Sequence, residues 1–271
     1  MSAVREIAPA KVNLVLRIGP VAPNGLHEVC SLFASLDLAD VVEVCESDRD
    51  EVICAGVDGP NLAEAAIEAF REQAALPPLH VEIQKRIPVA AGLAGGSADA
   101  AAVLRAANEI AGRPFDAERL RAIAAPLGSD VPSQVVPAHA IVSGTGERVE
   151  RVELPTMAVV LVPSLHGLST ADVFREAERL GTPRSELACE ELRALPDRDP
   201  WGIAAHLEND LQLAAVSLRP ELEVTLDEVG GLGSLVSGSG PTVFGLFASR
   251  EGAGEAASRI PGALVTMVAG R

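Results

Sequence analysis

The chain has 271 residues, enough to bury a full core in one large domain or two ordinary ones. Its formal charge of −16 excludes a broad nucleic-acid or anionic-membrane surface, which needs clustered Lys and Arg; a polyphosphate can still bind where positive potential is supplied locally. Four cysteines without a CxxC pair, an N-terminus lacking the apolar core of a signal peptide, and no apolar run long enough to span a bilayer predict reduced thiols and a soluble, cytoplasmic protein.

In chain order, AKVNLVLRI (residues 10–18) alternates cleanly. It predicts a strand with Val12, Leu14, Leu16 and Ile18 buried and with Lys11, Asn13 and Arg17 on its open face. GPVAPNGLHEV then carries turn punctuation, and strand-like sequence runs on through LFASLDLADVVEVC. NLAEAAIEAFREQAAL has helical periodicity with Asn61 as N-cap, and HVEIQKRIP alternates as a strand. GLAGGSADAA opens a helix near Ser97, whose apolar positions Ala100, Val103, Leu104, Ala107, Ile110 and Ala111 recur at helical spacing. Gly112 and Pro114 stop it. A helix over 116–126 leads into PLGSDVPS, and two strands follow around AHAIVSGTGERVERV. Beyond a boundary at Leu154–Pro155, MAVVLVP is a buried strand and TADVFREAERL a helix. One or two helices lie in ENDLQLAAVSLRPELEVTLDEVG, and the chain ends strand–turn–strand–helix–strand. This mixture without strict βαβ alternation predicts an α+β protein with domains 1–154 and 155–271.

The glycine loop is neither a Walker A loop nor a dinucleotide fingerprint. It still has the physics of an anion site, because convergent N–H groups meet a helix dipole. The alternative is a plain strand-to-helix link with Ser97 as an ordinary N-cap. Asp130, between a glycine turn and a proline, either caps its own turn or serves as a general base on a rigid elbow. SGSGPT (residues 237–242) reads as a hairpin turn, and His27 as a loop histidine. The other four histidines show no metal-ligand spacing. Lys11 and Lys85 are the only lysines, and tyrosine is absent. In a chain so biased to arginine, a retained lysine marks a place where a compact ammonium matters, or survives by chance.

Taken in order, APAKVNLVLRI, NGLHEVCSLFASLDLAD, PVAAGLAGGSADAA, LGSDVP, STADVF, ENDLQ and SGSGPTVF resemble the GHMP small-molecule kinase superfamily. The resemblance implies two lobes, an N-terminal ribosomal protein S5 domain 2-like lobe and a C-terminal ferredoxin-like lobe. It implies ATP and Mg²⁺ as cofactors and phosphorylation of an alcohol. The implied acceptor is a cytidine diphosphate-linked methylerythritol, phosphorylated on its 2-hydroxyl in non-mevalonate isoprenoid biosynthesis, by a monomer or homodimer. Pro88, Ala90, Ala91, Gly92, Leu93, Ala94, Gly95, Gly96 and Ser97 would form the ATP phosphate loop, with Asn61 and Lys85 on the adenine side. Asp130 would take the hydroxyl proton with Lys11 beside it, and Asn13 would touch the acceptor. Leu26, His27 and Phe174 would meet the cytosine, Thr170 would lie near the acceptor phosphates, and Asp99 is a candidate metal ligand. Two departures stand out: Leu26 replaces the family's stacking tyrosine, and Ala94 replaces a loop glycine, restricting that residue to ordinary backbone angles.

Overall fold

The computed structural model describes residues 3–57, 59, 61–164 and 166–269. The chain packs as two compact units. One takes the residues up to Ala10, Leu38–Val89 and Ala94–Pro137; the other takes Lys11–Asp37, Ala90–Leu93 and the chain from Ala138 onward. The sequence boundary at Leu154–Pro155 falls inside the second unit.

Two long strands, β1 (Val4–Val21) and β2 (His27–Glu46), give one end to each unit. In the first unit β3 (Glu51–Cys54) lies parallel to β4 (Leu79–Gln84). β4 in turn pairs antiparallel with the far end of β2, from Val41↔Gln84 to Glu46↔Leu79. Helix α1 (Leu62–Arg71) starts where its sequence says it should, with the Asn61 side chain accepting from the Ala63 N–H at 3.0 Å. It stops at Arg71, short of the periodicity that continues to Leu76.

Helix α2 (Gly95–Ile110) buries Ala98, Ala100, Ala101, Ala102, Val103, Leu104, Ala106 and Ala107, more than the single face expected. A run of methyl-sized side chains lets neighbouring elements approach from several directions, so the helix is core rather than half-exposed. Around it pack Ile67, Phe70, Leu79, Val81 and Ile83, and Phe70 meets Phe115 edge-on at 5.3 Å. Helices α3 (Ala117–Ala124), capped by Asp116, and α4 (Val131–Gln134) complete this unit.

In the second unit β5 (Ala140–Gly144) pairs antiparallel with the near end of β2, and β6 (Arg148–Arg151) with β5. A four-stranded antiparallel sheet is formed later in the chain. Its members are β7 (Ala158–Val162), β9 (Gly233–Val236), β10 (Val243–Phe247) and β11 (Leu264–Met267), in the order β11-β7-β10-β9. The helices between them are α5 (Thr170–Leu180), α6 (Pro200–Ala204), α7 (Gln212–Leu218), α8 (Glu221–Val229) and α9 (Arg250–Ala257). Their apolar faces (Val173, Ala177, Ala214, Ala215, Leu222, Val229, Ala253) share a core with Ala158, Val160, Val236 and Val243. Strand β8 (Glu208–Asn209) runs parallel to β1 at Val15–Leu16.

Two expectations fail here. Lys11 and Asn13 are buried, 4% and 2% exposed, because the face of β1 read as open is covered. Cys30 and Cys189, expected as free thiols, form a disulfide; their Cα atoms lie 5.8 Å apart although 159 positions separate them in sequence. Only the fold could bring that pair together, and no spacing rule signals it. Cys45 and Cys54 are free.

Candidate active site

The glycine loop enters α2 two residues earlier than Ser97, so Ser97 lies inside the first turn and is not the N-cap. Ala94 holds the cap position in the left-handed conformation, φ 57° and ψ 26°, and no side chain caps the helix. The restriction expected of Ala94 is therefore overcome: like Ala90, at φ 53°, it takes the angle a glycine would. Each such residue costs about 1–2 kcal/mol, and strain of this kind persists where surroundings over-determine it. What it leaves is a helix start whose first N–H groups are open to an anion.

Behind that helix start lies a buried ion triad. Lys85 reaches Asp40, and reaches Asp99 at 2.7 Å; Asp40 also accepts the Ile87 N–H at 2.8 Å. Lys85 stands 3.2 Å from where a Cβ on Gly95 would sit, so the glycine makes room for the ammonium. Burial raises the Asp99 carboxyl to about 6, against the pull of Lys85. Burial would lower Lys85, yet the Asp99 charge and the bonds to both carboxylates outweigh it and raise it. Asp99, the candidate metal ligand, thus has one oxygen on Lys85; its Oδ1 is buried with no hydrogen-bond partner among the described residues. Among those residues no three acidic, His or Cys side chains gather as a metal site.

This raised carboxyl predicts a pH dependence of stability. Between the ordinary 3.8 and about 6 the folded state holds a proton on Asp99 that the unfolded chain has released. The stabilisation is full below that window and is lost as pH rises through it, by on the order of 3 kcal/mol for roughly two units. Denaturant unfolding of the wild type and Asp99→Asn between about pH 4 and about pH 7 checks it. The wild type should lose stability relative to the variant across the window; parallel curves would discard the triad as the cause.

Asp130 precedes α4 at φ −87° and ψ −20°, and its side chain makes no capping bond, which removes the turn-capping reading. The elbow is held by other atoms. Val131 N–H donates to Gly128 O (3.1 Å), Ser133 Oγ donates to Asp130 O (2.7 Å), and the Arg105 guanidinium donates to Gln134 O and Ile7 O, both at 2.7 Å.

The second unit contains the rest of the expected residues. Lys11 Nζ donates to Asn13 Oδ1 at 2.7 Å and sits 4.6 Å from the centroid of the Phe33 ring, a cation–π contact. Asn13 Nδ2 donates to Ser31 Oγ, which donates to Val15 O. The SGSGPT turn joins β9 to β10 as expected, but it also meets the glycine loop: Ser237 Oγ donates to Gly92 O at 3.0 Å and Thr242 N–H to Ala91 O at 3.4 Å. Lys11 N–H donates to Leu93 O. Thr170 Oγ1 bonds Ser239 Oγ at 2.9 Å, tying the start of α5 to the same turn.

His27 and Phe174 come together with ring centroids 5.3 Å apart, while Leu26 stays half exposed beside them in sequence. Both His27 nitrogens are engaged, Nδ1 with Gly19 O at 2.8 Å and Nε2 with Glu178 Oε1 at 3.0 Å. Glu178 follows Phe174 by one helical turn, so one face of α5 grips the ring. Sequence reasoning missed Asp40, Glu178 and the roles of Asn209 and Ser237. The last two lay inside ENDLQ and SGSGPT; Asp40 was visible only as an acid in an apolar strand.

The family model for the GHMP kinases N terminal domain matches residues 61–138, and that for GHMP kinases C terminal matches residues 188–265. A 4-diphosphocytidyl-2-C-methyl-D-erythritol kinase of Anaeromyxobacter sp. is 42% identical over 94% of this chain and 84% of its own length. The enzyme of the same name from Pelotomaculum thermopropionicum is 39% identical, over 94% and 93%. A crystal structure of 4-(cytidine 5'-diphospho)-2C-methyl-D-erythritol kinase superposes with a TM-score of 0.80 at 33% identity, covering 98% of this chain and 100% of that one. A homoserine kinase from Cytophaga hutchinsonii, at 18% identity and a TM-score of 0.70, shares the fold alone.

Proposed function

The chain belongs to the GHMP kinases, small-molecule kinases that use ATP, and within that family we propose that it phosphorylates the 2-hydroxyl of 4-diphosphocytidyl-2-C-methyl-D-erythritol. The observation that carries this reading is the near end-to-end likeness, at about 40% identity, to kinases bearing that acceptor's name.

Phosphoryl transfer asks mostly for positioning and charge stabilisation, because its transition state is loose. In a chain of charge −16 the compensation has to be local. The loop from Pro88 to Ser97 supplies it through the uncapped start of α2, and Asn61 and Lys85 lie on the nucleotide side. Mg²⁺ would come in on the nucleotide, since this ion keeps waters and binds phosphates through few protein ligands. Ser97 is the side chain that would hold it, and the metal's contribution is to neutralise phosphate charge. Asp130 takes the proton of the acceptor hydroxyl, while Lys11, oriented by Asn13 and Phe33, supplies a fixed positive charge. Thr170 serves the acceptor phosphates.

At the base, Leu26 and Phe174 provide apolar contact, and His27 is held by Glu178 with its ring nitrogens already bonded. Glu178→Ala should free that ring and raise the acceptor KM about three- to tenfold, as loss of one partly solvated hydrogen bond does. The ATP KM should not move; an unchanged acceptor KM would show that His27 does not serve the base.

Turnover of ATP with the cytidyl acceptor, homoserine and mevalonate offered in parallel tests the function. Turnover confined to a non-cytidyl alcohol overturns the acceptor, and no turnover with any of the three overturns the kinase reading for these substrates.

A further inference from the structure

The ENDLQ segment does four different jobs in the second unit, and one of them reaches the chemistry. Glu208 pairs with Arg17 and Arg184, and Asp210 accepts from Ile18 N–H and Arg184. Gln212 Oε1 accepts the Val236 N–H at 3.0 Å. Asn209 uses both donors of one carboxamide on the SGSGPT turn: Nδ2 donates to Val236 O and to Gly238 O, each at 2.8 Å, while Oδ1 accepts the Leu211 N–H at 2.9 Å. Every polar atom of that side chain is therefore used, and two of its three bonds fix the carbonyls of Val236, at the end of β9, and Gly238, in the turn.

What the turn does with that fixity is visible at Gly238, which sits at φ 57°. A Cβ there would stand 3.4 Å from Asn13 Oδ1, 3.4 Å from Gly92 O and 3.7 Å from Lys11 Nζ. The Gly238 peptide is thus packed directly against the lysine, its orienting asparagine and the glycine loop. From the other side Ser237 Oγ holds Gly92 O. Among these contacts, the Asn209 carboxamide is the side chain that grips the carbonyls on both sides of Ser237.

We infer that Asn209 is a positioning residue of the kinase reaction, holding the SGSGPT turn so that Lys11 and the Gly92 peptide keep their places. The inference rests on the roles given above to Lys11 and the glycine loop. It assigns a mechanical function to a side chain of the ENDLQ motif.

Asn209→Asp separates the two halves of the side chain's work. The carboxylate keeps the shape and the acceptor for Leu211 N–H, but turns two donated bonds into two repulsions against carbonyl oxygens. The folded variant should lose at least tenfold in kcat and bind ATP at least tenfold more weakly. Lowering the pH should restore part of the kcat, because a protonated carboxyl donates again. Ser237→Ala, which removes only the strap to Gly92 O, should raise the ATP KM and leave kcat within about threefold.

A folded Asn209→Asp with wild-type kcat and ATP affinity overturns the inference while the proposed function stands. If that variant does not fold, Ser237→Ala decides, and an unchanged ATP KM overturns the turn's hold on the loop. A wild type inactive on the cytidyl acceptor, homoserine and mevalonate overturns the proposed function and, with it, this inference.

Discussion

Asp130→Asn should fold as stably as the wild type and bind ATP normally, yet lose about 10²- to 10⁴-fold in kcat, the usual contribution of a positioned general base. The substitution is nearly isosteric, and neighbouring groups hold the local backbone. Gly128, Ser133 and Arg105 hold the elbow, and the Asp130 side chain makes no capping bond to α4. A cap-forming aspartate would instead report itself as lost stability, on the order of 1 kcal/mol. The two roles therefore predict opposite results. Saturating-substrate turnover, an ATP titration and denaturant unfolding on the same preparation separate them. Near-normal kcat removes Asp130 from the base role; a marked stability loss with proportionate activity would make it structural.

Much of this was legible in the sequence, and the reason differs by residue. Asn61 could be named as an N-cap because capping is a local interaction between a side chain and an N–H two positions on. TADVFREAERL coincides with α5 because its periodicity, its Ser169 cap and its Gly181 stop agree. The α+β order of strands and helices followed for the same local reasons. Burial on both faces of β1 was not legible: alternation tells which residues share a face, not what covers the second one. Nor was Ala94. Its side chain argues against a left-handed angle, and the surrounding structure imposes one. The Lys85 triad joins positions 40, 85 and 99, and the His27–Glu178 pair spans 151 positions, so no local rule reaches either. The likeness to GHMP kinases carried the candidate residues; distances then added Asp40, Glu178, Asn209 and Ser237, which support the expected ones rather than replace them.

Gly92→Ala is the most disruptive single change available in the loop. At φ +74° an L-residue is already strained by about 1–2 kcal/mol. Ala90 and Ala94 tolerate comparable angles, so the angle alone does not decide. Space does. A Cβ on Gly92 would stand 2.3 Å from Ser237 O and 2.8 Å from Gly240 O, and both are main-chain atoms of a turn that Asn209 holds in place. Neither neighbour can rotate away, so the loop must lift off the turn, breaking the Ser237 Oγ bond to Gly92 O and shifting the Leu93 O that accepts from Lys11 N–H. ATP binding should fall by at least a hundredfold, and the melting temperature should drop by roughly 5–10 °C, about what 2–3 kcal/mol does in a chain of this size. Gly96→Ala is the internal comparison: the nearest atom to its Cβ is Leu62 Cδ1 at 3.9 Å, and alanine favours the helix that Gly96 helps to start. Its melting temperature should match or exceed the wild type's. Equal melting temperatures for the two alanine variants would mean that the loop does not rest on the turn, and would take the support of the phosphate-loop reading with it.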